Sequence, residues 1–245
     1  MKANLNYGKP LLLLIIVVAI ITLFSNCSSL LSAKFESDSI GGDPNKTLPG
    51  SPSGDEMTYV TEVENQLTIL VTPGYPTQKS LEYQSIFPTG SVSPGSGWIT
   101  FKGKSSNFSK PITFTWTAQK SFSSSAQYMY IDISDGSGIL AARLKILANG
   151  DLLNVTQIFD GTGDVLGNIP NNQRHTFLVT VNLNSGTFNI SVVQPGNDIN
   201  VQNINVLSQV TSFHNPARPS VSFQYDGYGN SQTYLVDEVL ISRKN

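Results

Sequence analysis

Two tyrosines and one aspartate alternate with apolar side chains near the middle of the chain, and they are the residues best suited to bind a ligand. Because successive side chains of a β-strand point to opposite sides, Tyr128, Tyr130 and Asp132 share one face, and the Met and Ile residues between them share the other. Tyrosine rings stack on sugar rings, and a carboxylate accepts hydrogen bonds from sugar hydroxyls. If the Met and Ile face fills the core, the tyrosine face is a candidate carbohydrate-binding surface. The alternative is that these tyrosines only cover the sheet.

A second aromatic group stands in segment 225–230, where Tyr225 and Tyr228 flank an Asp-Gly pair. Gly, Asn and Asp favour turns, so we predict a loop tip at this position. Loops often carry binding residues, which makes Tyr225 and Tyr228 further ligand-binding candidates. An ordinary turn without a ligand is the alternative.

Segment 160–164 reads Asp-Gly-Thr-Gly-Asp, so Asp160 and Asp164 offer oxygen ligands of the kind that calcium binds. The spacing differs from that of an EF-hand loop, and a hairpin tip with two solvated acids is the alternative. The single cysteine excludes a zinc site built on several thiolates, and two histidines in the whole chain disfavour a multi-histidine site. We therefore predict no cofactor beyond a structural calcium ion.

The first 26 residues have the pattern of an export signal. Lys2 and Lys9 precede an apolar run from Leu11 to Phe24. This run of about 14 residues is shorter than the roughly 20 needed to cross a bilayer, so it indicates a cleaved signal peptide and not a transmembrane helix.

The end of this signal, Leu23-Phe24-Ser25-Asn26-Cys27, resembles the lipobox of bacterial lipoproteins. The resemblance implies cleavage of residues 1–26, a diacylglycerol thioether and palmitate on Cys27, and a lipidated tether over residues 27–33. Ser28 and Ser29 follow the cysteine without an aspartate that would retain the protein at the inner membrane, so we expect the outer membrane of a bacterial cell envelope. The alternative is an ordinary signal followed by an unmodified or disulfide-bonded cysteine.

The charge balance excludes one class of partner. The chain carries 15 basic and 17 acidic residues, and removal of residues 1–26 takes away two lysines, leaving a net charge of −4. A mildly acidic chain without a basic block is not expected to bind nucleic acid or to reach a membrane through a polybasic surface. Membrane contact is therefore expected through the N-terminal lipid.

Residues 34–245 are expected to form a single β-sandwich domain. Turn residues separate short segments of alternating apolar and polar side chains, and no window shows a sustained helical period. The predicted strands are 66–71, 81–87, 98–102, 112–117, 128–133, 142–147, 152–158, 176–183, 188–192, 201–210, 220–225 and 234–242. Their uneven spacing favours an all-β, two-sheet antiparallel jelly-roll sandwich over a barrel. Trp98 and Trp116 lie within predicted strands, and we expect both in the core.

The two ends of this region resemble the concanavalin A-like and laminin-G-like jelly rolls, the group that includes lectins and glucanases. Segment 234–243, with Asp237 inside an apolar strand, resembles the closing strand of that group. Segment 35–41, which begins Phe-Glu-Ser-Asp, resembles the opening strand that pairs with it. The resemblance implies that Phe35–Ser39 lies beside the last strand and that Asp237 accepts hydrogen bonds near it. Function varies widely on such a fold.

Laminarinase-type glycosidases of this group carry three acids on one strand, in the pattern Glu-x-Asp-x-x-Glu. Here the comparable segment is Tyr130-Ile131-Asp132-Ile133-Ser134-Asp135, with Tyr130 at the position of the nucleophile. Retaining hydrolysis needs two carboxylates, so the segment predicts that the protein is not an enzyme.

Three functions remain open on these grounds. The first is a membrane-anchored lipoprotein whose jelly roll binds a glycan or acts in adhesion without catalysis. The second is a structural envelope lipoprotein that docks to another protein and has no sugar site. The third and least favoured is a degenerate polysaccharide-cleaving enzyme. Exposed aromatic side chains on one sheet favour the first of these over the second, and two carboxylates about 5–9 Å apart in a cleft would favour the third.

Overall fold

The computed structural model describes residues 27–61, 66–85, 97–122, 127–157, 161–207, 213–227 and 232–244. Residues 1–26, where the export signal is predicted, lie outside the described residues. Within the described ranges the regular elements are all β-strands. None of the described residues belongs to a helix that is long and apolar enough to cross a membrane.

Fifteen strands lie within the described ranges. They are β1 (Cys27–Ala33), β2 (Glu56–Thr61), β3 (Leu67–Val71), β4 (Lys79–Ser85), β5 (Gly97–Lys102), β6 (Ile112–Ser121), β7 (Gln127–Ser134), β8 (Leu140–Leu147), β9 (Asp151–Gln157), β10 (Thr162–Asn168), β11 (Arg174–Asn182), β12 (Thr187–Val193), β13 (Ile199–Asn205), β14 (Ser220–Gly227) and β15 (Gln232–Lys244).

The strands form two sheets in which every paired neighbour is antiparallel. Sheet A has the order β13-β12-β11-β6-β15-β4-β3. Strand β4 pairs with the first half of β15, and β1 pairs with its second half. Sheet B has the order β10-β9-β8-β7-β14-β5-β2. The arrangement confirms the predicted all-β, two-sheet antiparallel jelly-roll sandwich.

The core lies between the sheets and is built from the inward side of each alternating strand. In β6 the residues Ile112, Phe114 and Trp116 are fully buried, and the threonines between them point away. The Trp116 ring stacks on Phe177 of the neighbouring strand, with ring centres 4.6 Å apart and an interplanar angle of 12°. It also meets the edge of Phe223 from sheet B at 5.7 Å, so this stack joins the two sheets.

The N-terminal end of the domain differs from the prediction. Residues 27–33, expected to be a tether, form β1 and pair along β15 from Cys27 opposite Lys244 to Ala33 opposite Val239. Leu30 and Leu31 are at most 2% exposed, and this apolar burial makes the segment a strand in spite of its serines. Segment 35–39 is correspondingly not the first strand. It forms a turn closed by the Asp38 amide on the Phe35 carbonyl, with the Phe35 ring buried in the core.

Two further strands were not expected from the sequence. Strand β2 follows a Gly- and Pro-rich stretch that reads as a linker, and β10 contains the Gly163 and Asp164 that read as a turn. Both are edge strands of sheet B, where one side of the backbone has no partner strand and the hydrophobic pattern is weak.

Strand β15 pairs with β6 on one side and with β4 and then β1 on the other, and a β-bulge lies where β4 ends and β1 begins. The register shifts between Asp237 and Leu240, and Glu238 adopts φ 52°. Asp237 is 3% exposed, accepts the Glu238 amide at 2.7 Å, and lies 3.3 Å from Arg174 Nη2 of β11. Burial raises the pKa of Asp237. Its role is structural as expected, but the donors come from the bulge and from β11 and not from the first strand.

Candidate functional site

Strand β7 presents the two tyrosines and the aspartate on the outer face of sheet B. Met129, Ile131 and Ile133 are at most 1% exposed and face the core, whereas Tyr128 and Tyr130 are half-buried on the opposite side. The prediction of which face is core is therefore confirmed. The sequence folds this way because the apolar residues of β7 fall at every second position.

Tyr130 belongs to a row of side chains that crosses sheet B. Directly opposite residues of neighbouring strands share a face, so their register defines the row. We call it the outer row, and its members from β2 to β10 are Val60, Trp98, Gln224, Tyr130, Lys145, Leu153 and Val165. The Trp98 side chain is 38% exposed, and Val60 and Val165 at the two ends are more exposed still. The outer row thus places exposed apolar and aromatic side chains on the solvent-facing side of sheet B.

A polar row runs beside the outer row. Its members share the next register position along the strands and are Thr58, Thr100, Ser222, Asp132 and Arg143. The Thr100 and Ser222 hydroxyls lie 2.6 Å apart and form a hydrogen bond across β5 and β14. Hydroxyl and charged groups therefore lie alongside the aromatic ones over several strands.

Two cations of β8 pack against the tyrosine rings. Lys145 Nζ lies 4.1 Å from the Tyr128 ring centre, and Arg143 Cζ lies 4.7 Å from that of Tyr130. The two rings themselves meet edge to face, with centres 5.3 Å apart and an interplanar angle of 72°. Cation–π contacts of this kind hold the rings in fixed orientations.

Asp132 is engaged by Arg143 of the neighbouring strand. Arg143 Nε donates to Asp132 Oδ1 and Nη2 donates to Oδ2, both at 2.7 Å. Planar bidentate pairs of this kind are strong and geometrically specific. Asp132 was predicted to accept sugar hydroxyls, and in the structure both of its oxygens accept hydrogen bonds from Arg143, which packs on the Tyr130 ring.

The turn before β10 closes over the Tyr130 hydroxyl. Gly161 has φ 64°, and a Cβ at this position would collide with the Tyr130 oxygen and lie 3.1 Å from Lys145 Nζ. Lys145 Nζ also donates to the Gly161 carbonyl at 3.4 Å. Glycine is required here both by the backbone conformation and by the close approach.

Trp98 is the candidate site residue that sequence reasoning misplaced. It was expected in the core together with Trp116, and only Trp116 lies there, with no exposed surface. The alternation within β5 carries the missing signal, because Ile99 and Phe101 are the buried pair and Trp98 falls on the other side.

The predicted aromatic loop is corrected in part. Tyr225 belongs to β14, is 6% exposed, and packs on the Tyr83 ring with centres 4.6 Å apart. Its hydroxyl donates to the Tyr83 carbonyl at 3.0 Å, and burial raises the pKa of Tyr225 well above its usual value. The inward position on an alternating strand makes Tyr225 a core residue and not a ligand contact. Tyr228 lies outside the described residues.

The described residues include one of the two predicted calcium ligands. Asp160 lies outside the described residues, and Asp164 is an exposed residue of β10. Within the described ranges, no three His, Cys, Asp or Glu side chains come together in a way that holds a metal ion.

A serine, a histidine and an aspartate do meet at the opposite end of β7. His214 Nδ1 lies 2.9 Å from Asp135 Oδ2 and 3.0 Å from Ser137 Oγ. Burial alone would raise the pKa of Asp135, but hydrogen bonds from His214 and Ser137 outweigh it and lower the pKa to about 2. A catalytic triad places the serine and the acid on different ring nitrogens, whereas here both use Nδ1. The group therefore joins the β7–β8 connection to the β13–β14 connection, and it is not arranged for acyl transfer.

Comparison of the sequence with protein-family models and with curated proteins finds no match. Comparison of the structure with solved structures does find similar folds. One is a carbohydrate esterase from the Shiga toxin-encoding bacteriophage phi24B, with a TM-score of 0.57 and 11% identity over 89% of this chain and 100% of the other. Another is the catalytic domain of a glycoside hydrolase family 131 protein from Coprinopsis cinerea, with a TM-score of 0.56 and 11% identity over 87% and 93%.

A protein described as a sialidase is similar over a smaller part of its length. The TM-score is 0.52 and the identity 11%, over 76% of this chain but 17% of the sialidase chain. At this level of identity the three likenesses establish the fold alone. The chain therefore shares a β-sandwich fold with these proteins.

Proposed function

We propose that the protein is a lipid-anchored, non-catalytic protein of the bacterial cell envelope that binds a glycan on the outer face of sheet B. The observation that carries the proposal is the outer row, in which the exposed Trp98 and the half-buried Tyr130 stand on one face next to the polar row.

The spacing of the aromatic residues suits a sugar chain. Trp98 and Tyr130 lie two strands apart, which at about 4.8 Å per strand places them about 10 Å from each other. This is about the length of a disaccharide, so two sugar rings of one chain can lie over the two side chains. The hydroxyl groups of those rings then reach Thr100, Ser222 and Gln224, which lie between or beside the aromatic residues.

The chemistry of the same face supports binding without cleavage. By the resemblance to laminarinase-type glycosidases, Tyr130 stands where those enzymes carry the nucleophile. Of the described residues in the two rows, Asp132 alone carries a carboxylate, and both of its oxygens accept hydrogen bonds from Arg143. Retaining hydrolysis needs a second carboxylate about 5 Å away.

The proposed lipid anchor rests on the lipobox-like segment at residues 23–27, and its acyl chain would be attached directly to strand β1. Cys27 is exposed and is the first residue of β1, so an acyl chain on it leaves no flexible spacer between the membrane and sheet A. The end of the sandwich that carries Cys27 and Lys244 would lie against the bilayer. We place the protein at the outer membrane because no retention aspartate follows the cysteine.

A glycan array probed with the full chain in detergent micelles tests the proposal. We expect retention of at least one class of glycan, weaker retention by Trp98→Ala, and unchanged retention by Leu178→Ala. Leu178 is a matched control because it is 44% exposed on the outer face of sheet A. Absence of any retained glycan would favour the protein-docking lipoprotein, and release of reducing ends from a bound glycan would show that the protein is an enzyme.

A further inference from the structure

The edge of the sandwich far from β2 and β3 carries two open clefts. Here β10 ends sheet B and β13 ends sheet A, and we call the line along which they meet the edge seam. One cleft has a volume of about 410 Å³ and is lined by Asn154 and Asp164 on one side and residues 203–207 on the other. The second has a volume of about 560 Å³ and is lined by residues 166–168 and 197–200, with Gln194. Both volumes are typical of sites for small ligands.

The two clefts are neighbours along the same pair of strands. Residues 164 and 168 mark their positions on β10, a separation of about 13 Å along an extended strand. Between these positions Gly167 allows a close approach of the sheets, because a Cβ there would lie 2.7 Å from Ile199 Cδ1. A chain-like ligand lying along the edge seam would therefore meet both clefts.

The polar lining defines the chemistry of the ligand. Carboxamides dominate it, with those of Asn154, Asn203 and Asn205 in the first cleft and Gln194, Asn197 and Asn200 in the second. Among the described residues of the two linings, Asp164 and Asp198 are charged and none is Lys or Arg. An anionic ligand would meet repulsion at such a surface, whereas a neutral ligand with many hydroxyl groups would find donors and acceptors.

In each cleft, one lining side chain has a buried acceptor atom that receives no hydrogen bond from the described residues. Asn154 is 6% exposed, and its Oδ1 accepts no hydrogen bond from the described residues. Gln194 Oε1 is in the same condition, although Gln194 Nε2 donates to the Asn168 and Asn197 carbonyls at 2.9 and 2.8 Å and fixes the side chain. Buried acceptors are normally satisfied, and leaving one unpaired costs free energy. A ligand hydroxyl that donates a hydrogen bond to each of these oxygens would recover that free energy.

We propose that the edge seam is a second binding site, which takes a neutral oligosaccharide along β10 and β13. Hydroxyl groups of the sugar chain donate to Asn154 Oδ1 and Gln194 Oε1, and the remaining carboxamides bind the other hydroxyls. The site is separate from the outer row and does not depend on it. A cation would also suit unpaired oxygens, but among the described residues no three acidic, His or Cys side chains gather there.

Isothermal titration of the full chain in detergent micelles, with hexaoses of glucose and mannose as probes, tests the edge seam. The background is Trp98→Ala, which weakens the outer row and leaves the edge seam intact. In this background we expect a neutral hexaose to bind and Asn154→Leu to weaken its affinity at least tenfold. The melting temperature should stay the same or rise, because the substitution removes an unpaired acceptor. Asn107→Leu, an exposed asparagine outside both clefts, is the matched control and should bind as the background does.

Two results would overturn the site. The first is unchanged hexaose affinity in Asn154→Leu, and the second is a rise in melting temperature with calcium chloride that Asp164→Ala abolishes. If Asn154→Leu melts at a lower temperature or does not fold, Asp164→Ala serves in its place, because Asp164 is exposed and its loss should weaken hexaose binding. Unchanged hexaose affinity in Asp164→Ala would then overturn the site. Failure of the outer row alone would appear differently, as a Trp98→Ala protein that binds every glycan as well as the wild type.

Discussion

Arg143 and Asp132 are joined across β8 and β7 by two hydrogen bonds of 2.7 Å, one to each carboxylate oxygen. The pair holds the guanidinium carbon 4.7 Å from the Tyr130 ring centre, so an ion pair orients the aromatic surface. An ion pair of the polar row therefore packs against the Tyr130 ring of the outer row.

This coupling predicts the outcome of a double-mutant cycle. Both side chains are less than one-fifth exposed, and we expect a coupling energy of about 1 kcal/mol between Asp132→Ala and Arg143→Ala. Urea denaturation of the wild type, the two single variants and the double variant measures it. Strictly additive losses would show that the pair does not stabilise the sheet.

Strand β1 predicts that the residues directly after the predicted export signal are part of the folded domain. Leu31 is fully buried, so Leu31→Ala should lower the free energy of unfolding by about 2–5 kcal/mol. Ile40→Ala removes an exposed side chain close in sequence and should cost little. Equal stability of the two variants would mean that residues 27–33 act only as a tether.

The buried His175 predicts a loss of stability in weak acid. Burial lowers the pKa of His175 to about 4, with a further lowering from nearby Lys120, against about 6.5 in an unfolded chain. The folded state binds this proton less readily than the unfolded state does. The free energy of unfolding is therefore highest above pH 6.5 and decreases as the pH falls towards 4. Linkage gives a loss of about 3 kcal/mol across that interval.

The free energy of unfolding measured between pH 7 and 4 checks the effect of His175. His175→Leu should flatten this part of the pH profile. Val179→Ala, a destabilising control on the same strand, should keep the slope of the wild type. A His175→Leu profile as steep as that of the wild type would assign the effect to other groups.

The resemblance of residues 23–27 to a lipobox predicts acylation of Cys27. In bacterial cells fed labelled palmitate, Cys27→Ser should abolish labelling and leave the precursor uncleaved, whereas Ser28→Ala should be labelled as the wild type is. Label on the Cys27→Ser protein would exclude this anchor.

The sequence was sufficient for the interior of the sandwich and insufficient at its edges. The first part of β6 was predicted from its alternation because Ile112, Phe114 and Trp116 are large and apolar, and the same rule assigned the faces of β7 correctly. Edge strands β2 and β10 bury little on either side, so their residues resemble those of turns. Strand β1 was missed because it directly follows the lipobox-like segment, where a lipidated tether was expected.

The candidate site needed the register of the sheet as well as the pattern of each strand. Asp132 and Arg143 are 11 residues apart in the chain, and they meet only because β7 and β8 pair in one register. Trp98 and Tyr130 come together through β14, which lies between their strands and more than 90 residues further along the chain than Tyr130. Alternation shows which way a side chain points, but it cannot show which distant strand lies beside it.

Glycan affinity of the Trp98→Ala and Tyr130→Ala variants, measured beside their melting temperatures, tests the central claim most directly. Each ring contributes about 1 kcal/mol of stacking beyond burial, so each variant should bind the retained glycan about five times more weakly. Both variants should melt close to the wild type, because neither side chain faces the core, and Leu178→Ala should bind as the wild type does. Unfolding of Tyr130→Ala, or full affinity in both variants, would contradict a glycan site on the outer face of sheet B.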